Sequence, residues 1–307
     1  MNYYFLNIKR DRKSKSWEWL EEKRTAPIFF GHTRIHEILY DEIALKKKHQ
    51  LHWTQIKDSR LFCELGRNRH LWPDTVIVTI DNGNVWLYRP AGEITEKLNE
   101  TEYDGYVKSF PIEFLCDRKD VVDVPFILAS MKANIYFSAG TFKQISNKYV
   151  GNILAIEHLL GSDLSNEIEK LQFHPLDCLA SVELETLIAK IFESHECFVP
   201  AYRGGRLSGV DLFVWNYGDK DLDIDGIFIP KGEKISVQVK MSFSKKDLVK
   251  NTANYNIGGD QKQFDSYFGR QWIWKQIETN KAIRDWITLS LDWLPREILF
   301  LHNPALS

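Results

Sequence analysis

The 307-residue chain has no apolar run near the ~18 residues that a membrane span requires. Its N-terminus, MNYYFLNIKRDRK, sets apolar residues before basic ones and lacks a small-residue cleavage site, so no secretory leader is expected. Cysteine is scarce. Cys63, Cys116, Cys178 and Cys197 form no CxxC pair, which excludes a zinc ribbon and suits buried thiols in a reducing cytoplasm better than a disulfide framework. The net charge is only −2, so the chain as a whole is no electrostatic sponge for polyanions; local charge decides. Glycine-rich phosphate loops are missing: Arg203-Gly-Gly-Arg206 and Gly258-Gly259 match no nucleotide-binding pattern. No GxSxG nucleophile elbow is present. His32 and His36 have helical metal spacing, but no third ligand completes a zinc pattern.

What is present is an ordinary globular composition, 44% hydrophobic and 27% charged, which excludes global disorder. The length suggests two domains. Aromatics are abundant at 13%, with 10 Trp; they fill cores and also stack on bases. Charge is uneven: net +3 over 1–24, −5 over 91–126 and +5 over 231–290. The basic C-terminal stretch is either a solvated face or a phosphate-facing one.

Residues 1–147 read as a β-rich α+β domain. Val76–Ile80 and Val85–Tyr88 are β-branched and aromatic runs around Asp81-Asn82-Gly83-Asn84, a hairpin signal. Tyr106–Leu115 continues the strand pattern, and 34–48 has helical spacing at Ile35, Ile38, Leu39 and Ile43. Residues 148–178 read as a helical connector. From 179 to 307 the pattern changes. Ser181–Glu193 is an amphipathic helix with Ser181 as its expected N-cap and Leu184, Leu187, Ile188 and Ile191 as its apolar stripe. Cys197–Val199 and Gly209–Trp215 read as strands, 216–225 as turn-like, 227–229 and 235–240 as strand–turn–strand, and 245–307 as helical.

Three chemistry-bearing pieces follow in order: Glu185 on a helix, Asp211 on a strand, and Gln238-Val239-Lys240 on a strand. Side chains two apart on a strand share a face, so Gln238 and Lys240 project together. Asp211 stands in an apolar run, where a carboxylate is costly unless it is paired or binds a metal. Antiparallel strands joined through 216–234 would bring it to Lys240. Each piece alone has an ordinary explanation: a half-exposed strand, a turn cap, a first-turn acid. Glu183 competes with Glu185, and Asp223 and Asp225 compete with Asp211.

The ordered set resembles the PD-(D/E)XK nuclease superfamily, and more closely its Mrr-like restriction endonuclease branch. The matching residues are Glu185, Gly209-Val210-Asp211-Leu212 and Gln238-Val239-Lys240; they span roughly 180–245, about a fifth of the chain. Gln238 departs from the superfamily's commoner acid, and the Mrr-like branch is similar in carrying glutamine there. The resemblance implies a restriction-endonuclease-like C-terminal domain, a central mixed sheet flanked by helices, and a Mg²⁺-dependent endodeoxyribonuclease with a restriction or anti-phage role. It implies Asp211, Glu185 and the Val239 carbonyl as metal ligands, Gln238 as a further neutral oxygen, and Lys240 as the group acting on the attacking water or the phosphate.

By the same analogy the N-terminal half is a recognition domain that reads modified DNA, with Trp17, Trp19, Phe29, Phe30, Trp53, Trp86 and Tyr88 as candidate base-stacking rings; equally, these rings fill a core. DNA is the expected partner, and an isologous homodimer the default, since two strands need two active sites. Trp272, Trp274, Trp286 and Trp293 would form that interface or cover the sheet. An inactive nucleic-acid-binding module and an RNA-directed nuclease are the competing readings.

Overall fold

The computed structural model describes residues 1–8, 17–29, 33–41, 43, 45, 53–99, 105–129, 141–147, 149–165, 168, 173–200, 209–243, 253–259 and 267–300. The chain divides into two compact units, Met1–Leu164 and Ser165–Ser307. The division falls inside the 148–178 segment expected to be a connector. Both units are α/β, with mixed sheets and flanking helices.

The first unit contains β1 (Asn2–Leu6), α1 (Glu18–Glu21), β2 (Thr25–Phe29), α2 (Ile35–Tyr40), α3 (Trp53–Arg67), β3 (Thr75–Asp81), β4 (Asn84–Pro90), β5 (Thr95–Asn99), β6 (Gly105–Phe114), β7 (Lys119–Asp120), α4 (Phe126–Ala129), β8 (Phe142–Gln144) and α5 (Val150–Leu159). Its sheet runs β2-β6-β4-β3-β1-β8, with β5 added to β6 and β7 to β4. β1 and β3 are parallel and the other pairs antiparallel. The β3–β4 hairpin turns on Asn82 and Gly83, both at positive φ (46° and 75°), as the sequence anticipates. The helix expected over 34–48 is interrupted: α2 ends at Tyr40, where Asp41 leaves helical geometry at φ −137°, and Ile43 and Leu45 are helical again. Residues 42, 44 and 46–48 lie outside the described set.

Leu6, Ile28, Phe62, Tyr88 and Phe110 are fully buried in one core, with Phe62 stacked on Phe110 at 4.7 Å and edge-on to Phe142 at 5.3 Å. Two proposed base-stacking rings belong to the interior instead. Trp86 and Tyr88 are buried, and the Tyr88 hydroxyl pairs with Thr79 Oγ1 at 2.8 Å. Trp17, Trp19 and Phe29 are half-buried; Phe30 and the Trp53 side chain lie outside the described set. Lys108 on β6 is also fully buried. Its Nζ donates to Tyr106 O (3.3 Å) and Thr33 Oγ1 (3.5 Å), and burial pushes its pKa down to about 8.

The second unit contains α6 (Ser181–Ser194), β9 (Leu212–Trp215), β10 (Leu222–Ile224), β11 (Ile227–Ile229), β12 (Lys234–Lys240), β13 (Tyr255–Gly258), β14 (Tyr267–Phe268), α7 (Arg270–Thr279), α8 (Lys281–Ser290) and α9 (Arg296–Leu299). Its sheet order is β14-β13-β12-β9; β9 is antiparallel to β12, while β12, β13 and β14 run parallel. α6 packs on β9 and β12. Its stripe of Leu184, Leu187, Ile188 and Ile191 is buried, as are Leu212, Val214, Val237 and Val239.

Several expectations are corrected here. The α6 cap is Ala180, one residue before Ser181; alanine offers no side-chain oxygen, and Glu183 reaches back to the Ala180 N–H instead (2.9 Å). Ile227–Ile229 does not pair with 235–240. It pairs with Leu222–Ile224, inside the stretch read as turn-like, around Asp225 (φ 49°) and Gly226 (φ 97°). Asp-Gly between short apolar pairs is itself a hairpin signal. Cys197–Val199 is no strand; Phe198 makes one isolated antiparallel bridge to Trp215. The 245–307 stretch holds β13 and β14 ahead of its helices. Trp272 and Trp274 are buried; Trp286 and Trp293 are half-buried.

Gly258 marks a close approach. A Cβ there would stand 2.2 Å from Tyr267 Oη and 2.9 Å from two of its ring carbons. Tyr267 is buried edge-on to Phe243 at 5.4 Å, so its rigid ring has little room to retreat. Gly258→Ala is expected to cost about 1–3 kcal/mol, read as a lower urea midpoint at unchanged slope. An unchanged midpoint would mean that the ring moves at no cost.

Candidate active site

The β9–β12 ladder brings two of the three pieces of the sequence pattern, Asp211 and Gln238-Val239-Lys240, to one end of the sheet; the third, Glu185, lies on α6, which packs on both strands. Register pairs Leu212 with Val237 and Phe213 with Ser236. Just before β9, the Asp211 N–H donates to Val237 O at 2.9 Å. Two residues along β12, the Val239 N–H donates to Asp211 Oδ2 at 2.8 Å. The carboxylate thus occupies a place that a backbone acceptor of a longer strand would fill. N–H and C=O of one strand residue point to the same edge, so the Val239 carbonyl also lies on the Asp211 side. The next carbonyl, of Lys240, points the other way and accepts from Gly259 N at 3.1 Å.

Gln238 and Lys240 share a face of β12, opposite the buried Val237 and Val239. Gln238 is only 8% exposed, and its Oε1 is a buried oxygen without a hydrogen-bond partner. Such an orphan is costly and calls for an explanation. Lys240 is half-exposed, with Nζ 5.5 Å from the Phe243 ring centroid.

The electrostatics tie Glu185 to the same place. Burial and the Asp211 charge together push the Glu185 carboxyl up to about 7. Burial also raises Asp211, against the Val239 N–H and the Lys240 charge, which both favour its ionised form. Two carboxylates that repel each other in a half-buried site, beside an unsatisfied amide oxygen, form a place that a cation would stabilise.

The competing acids have other work. Glu183 is also pushed up to about 7 by burial, but its carboxylate is engaged at the α6 N-terminus with the Ala180 N–H. Asp223 Oδ1 accepts from Gly226 N at 2.8 Å within the β10–β11 turn. Asp225 pairs with Lys275 and accepts from Gln276 Nε2, and its pKa is lowered, chiefly by Lys275. His36 packs its ring 5.2 Å from that of Tyr40, while His32 and the Arg203–Arg206 loop lie outside the described residues. All four cysteines are free thiols, three of them buried.

One supporting contact was not read from the sequence. Arg270 Nε donates to Gly259 O at 2.7 Å, and its Nη2 pairs with Asp177. Asp177 in turn accepts from the His174 N–H at 3.2 Å. Since Gly259 N holds Lys240 O, this chain of bonds braces the backbone of Lys240 from the far side of the strand. Arg270 lies 30 residues beyond Lys240, and only the parallel pairing of β12 with β13 discloses the link.

Among the described residues no cluster of three or more His, Cys, Asp or Glu side chains forms a metal site. Around Asp211 stand the Val239 N–H that it accepts from, the neighbouring Gln238 with its unpartnered Oε1, and the Glu185 carboxyl that feels its charge. No protein-family model matches the sequence, and no curated protein matches it as a relative, so the functional reading rests on this geometry.

Proposed function

We propose that the second unit is a metal-dependent nuclease of the restriction-endonuclease-like kind that hydrolyses DNA phosphodiester bonds. What supports this reading is the Asp211 carboxylate held by the Val239 N–H between Gln238 and Lys240 of β12, with the Lys240 charge acting on Asp211 and the Asp211 charge acting on Glu185. The donor set suits a hard divalent cation such as Mg²⁺: Asp211 and Glu185 supply charge, and Gln238 Oε1 and the Val239 carbonyl supply neutral oxygen. The orphaned Gln238 oxygen and the raised Glu185 carboxyl are both relieved by such an ion.

When bound, Mg²⁺ supplies Lewis-acid polarisation of the phosphate and eases deprotonation of the attacking water. The rest is done by the chain. The Val239 N–H fixes the orientation of the Asp211 carboxylate, so no reorganisation is needed at the moment of reaction. The Lys240 ammonium orients the attacking water and offsets the negative charge that develops on the phosphate oxygens. Gln238 holds a neutral oxygen where a third carboxylate would raise repulsion further. In this reading the protein acts on duplex DNA as a homodimer in restriction or anti-phage defence, and the first unit selects the substrate.

A cleavage panel tests it: unmodified, methylated and hydroxymethylated duplex DNA, single-stranded DNA and RNA, each with Mg²⁺ and with EDTA. Mg²⁺-dependent cutting of DNA is expected. Cutting of RNA alone would reassign the substrate, and tight binding without cutting of any substrate would reassign the unit as an inactive binding module.

A further inference from the structure

The strand that follows Asp211 carries an exposed aromatic stripe. Along β9 the side chains alternate, with Leu212 and Val214 buried and Phe213 and Trp215 outward. Phe213 is 42% exposed, Trp215 36%, Tyr217 60%, and Phe198, which bridges to Trp215, 49%. The Phe198 and Trp215 ring centroids lie 6.3 Å apart, and those of Trp215 and Tyr217 6.2 Å apart. Scattered exposed rings are ordinary, but a contiguous row marks an interaction surface.

Register says what this surface is continuous with. Phe213 stands opposite Ser236 and Trp215 opposite Lys234, so both rings share a sheet face with Gln238 and Lys240. Phe213 is two residues from Asp211, about 6.7 Å along an extended chain. That is comparable to one nucleotide step of an extended strand. Lys234 is exposed, and its Nζ lies 5.0 Å from the Trp215 ring centroid, placing a phosphate-pairing cation beside the stacking surface.

We propose that Phe213, Trp215, Tyr217 and Phe198 form a base-stacking platform that seats an unpaired stretch of DNA, resting on the nuclease reading for the position of its scissile phosphate beside Asp211 and Lys240. Stacked bases leave the strand held by ring faces, which every base offers, so the platform favours unpaired DNA without reading its sequence. An intact duplex hides those faces. The substrate class is therefore duplex DNA opened at the cutting site, where a single-stranded, frayed or flipped segment exposes its bases.

The test separates binding from cleavage. Binding of fluorescein-labelled oligothymidylate and of a blunt duplex of equal length is followed by anisotropy in EDTA. The full-length protein is expected to prefer the single strand. Phe213→Ala and Trp215→Ala should each weaken that binding roughly ten-fold, with the salt dependence unchanged because no phosphate contact is lost. Trp215→Phe keeps a ring and should retain most of the affinity, which guards against a mere folding defect. Single-strand affinity unchanged in both alanine variants overturns the platform. So does sedimentation showing that these variants break a dimer while binding DNA normally, since the stripe would then be an interface between copies. Cleavage is scored separately with Lys240→Ala. Loss of cutting in that variant with no effect at Phe213 and Trp215 sinks the platform alone; weakened binding at the rings with no Mg²⁺-dependent cutting sinks the nuclease reading alone.

Discussion

Lys240→Ala and Asp211→Asn are each expected to lower the proposed Mg²⁺-dependent cleavage by at least about 10²–10³-fold, in the range seen when one group that stabilises transition-state charge is removed. Both variants should fold. Lys240 is half-exposed and its aliphatic stem is easily replaced by solvent. Asp211→Asn is the sharper choice than alanine. Alanine would leave the Val239 N–H without its 2.8 Å acceptor, at a cost of about 1–3 kcal/mol, whereas asparagine keeps an oxygen in place and removes only the charge. Loss of cleavage with an unchanged melting temperature would assign the carboxylate to chemistry. Full activity in Asp211→Asn would move the active site elsewhere. Asp225→Asn is the matching control: its carboxylate is engaged by Lys275 and Gln276, so cleavage should persist.

Lys108→Met should stabilise the protein at pH 7 by about 2–3 kcal/mol, because folding takes a charged amine out of water and depresses its pKa from 10.5 to about 8. The sign follows from proton binding. Below pH 8 both states hold the proton, and the folded state bears the full cost of the buried charge. Between pH 8 and 10.5 the unfolded chain keeps a proton at Lys108 that the folded chain has released, so this amine's contribution makes wild-type stability rise with pH. All four thiols oppose this above pH 9, since burial raises each of them, Cys63 to about 12 and Cys197 to about 11, and the unfolded thiols ionise first. The rise should therefore be cleanest between pH 8 and 9. The advantage of Lys108→Met over wild type should shrink steadily toward pH 10. Urea titrations of both proteins at pH 7, 8.5 and 10 measure it; equal stabilities at pH 7 would mean that the amine is solvated in the folded state.

Much of this was legible in the sequence, and the reasons differ from place to place. The β3–β4 hairpin could be read because Asn82-Gly83 is a local signal that needs no partner. The antiparallel meeting of β9 and β12 could be read because alternation sets which side chains share a face. The choice of Glu185 over Glu183 came from the resemblance, not from the helix pattern, since both sit in the first turns of one helix; the structure adds that Ala180 N engages Glu183 while the Asp211 charge acts on Glu185. β13 and β14 were hidden by their shortness and by the aromatic helices that follow. Trp86 and Tyr88 are rings of the right kind for base reading, yet burial assigns them to the core, and composition carries no information on burial. The Phe213 and Trp215 stripe was not read from the sequence: alternation puts the two rings on one face, but which face is outward depends on which side α6 covers.

The β10–β11 hairpin has a wider consequence. Asp211 and Lys240 are fixed relative to each other by the β9–β12 ladder and the Asp211–Val239 bond, while the chain between the strands departs into a self-paired hairpin with its own turn. The spacing of the two groups in space is therefore indifferent to their spacing in the chain. Lengthening such a detour costs little, about 0.6 kcal/mol per doubling. The bend at 218–220 is not such a free point, because the buried Asn216 side chain accepts from Gly218 N and donates to Lys220 O; an insertion that keeps these two bonds should leave the Asp211–Lys240 spacing unchanged.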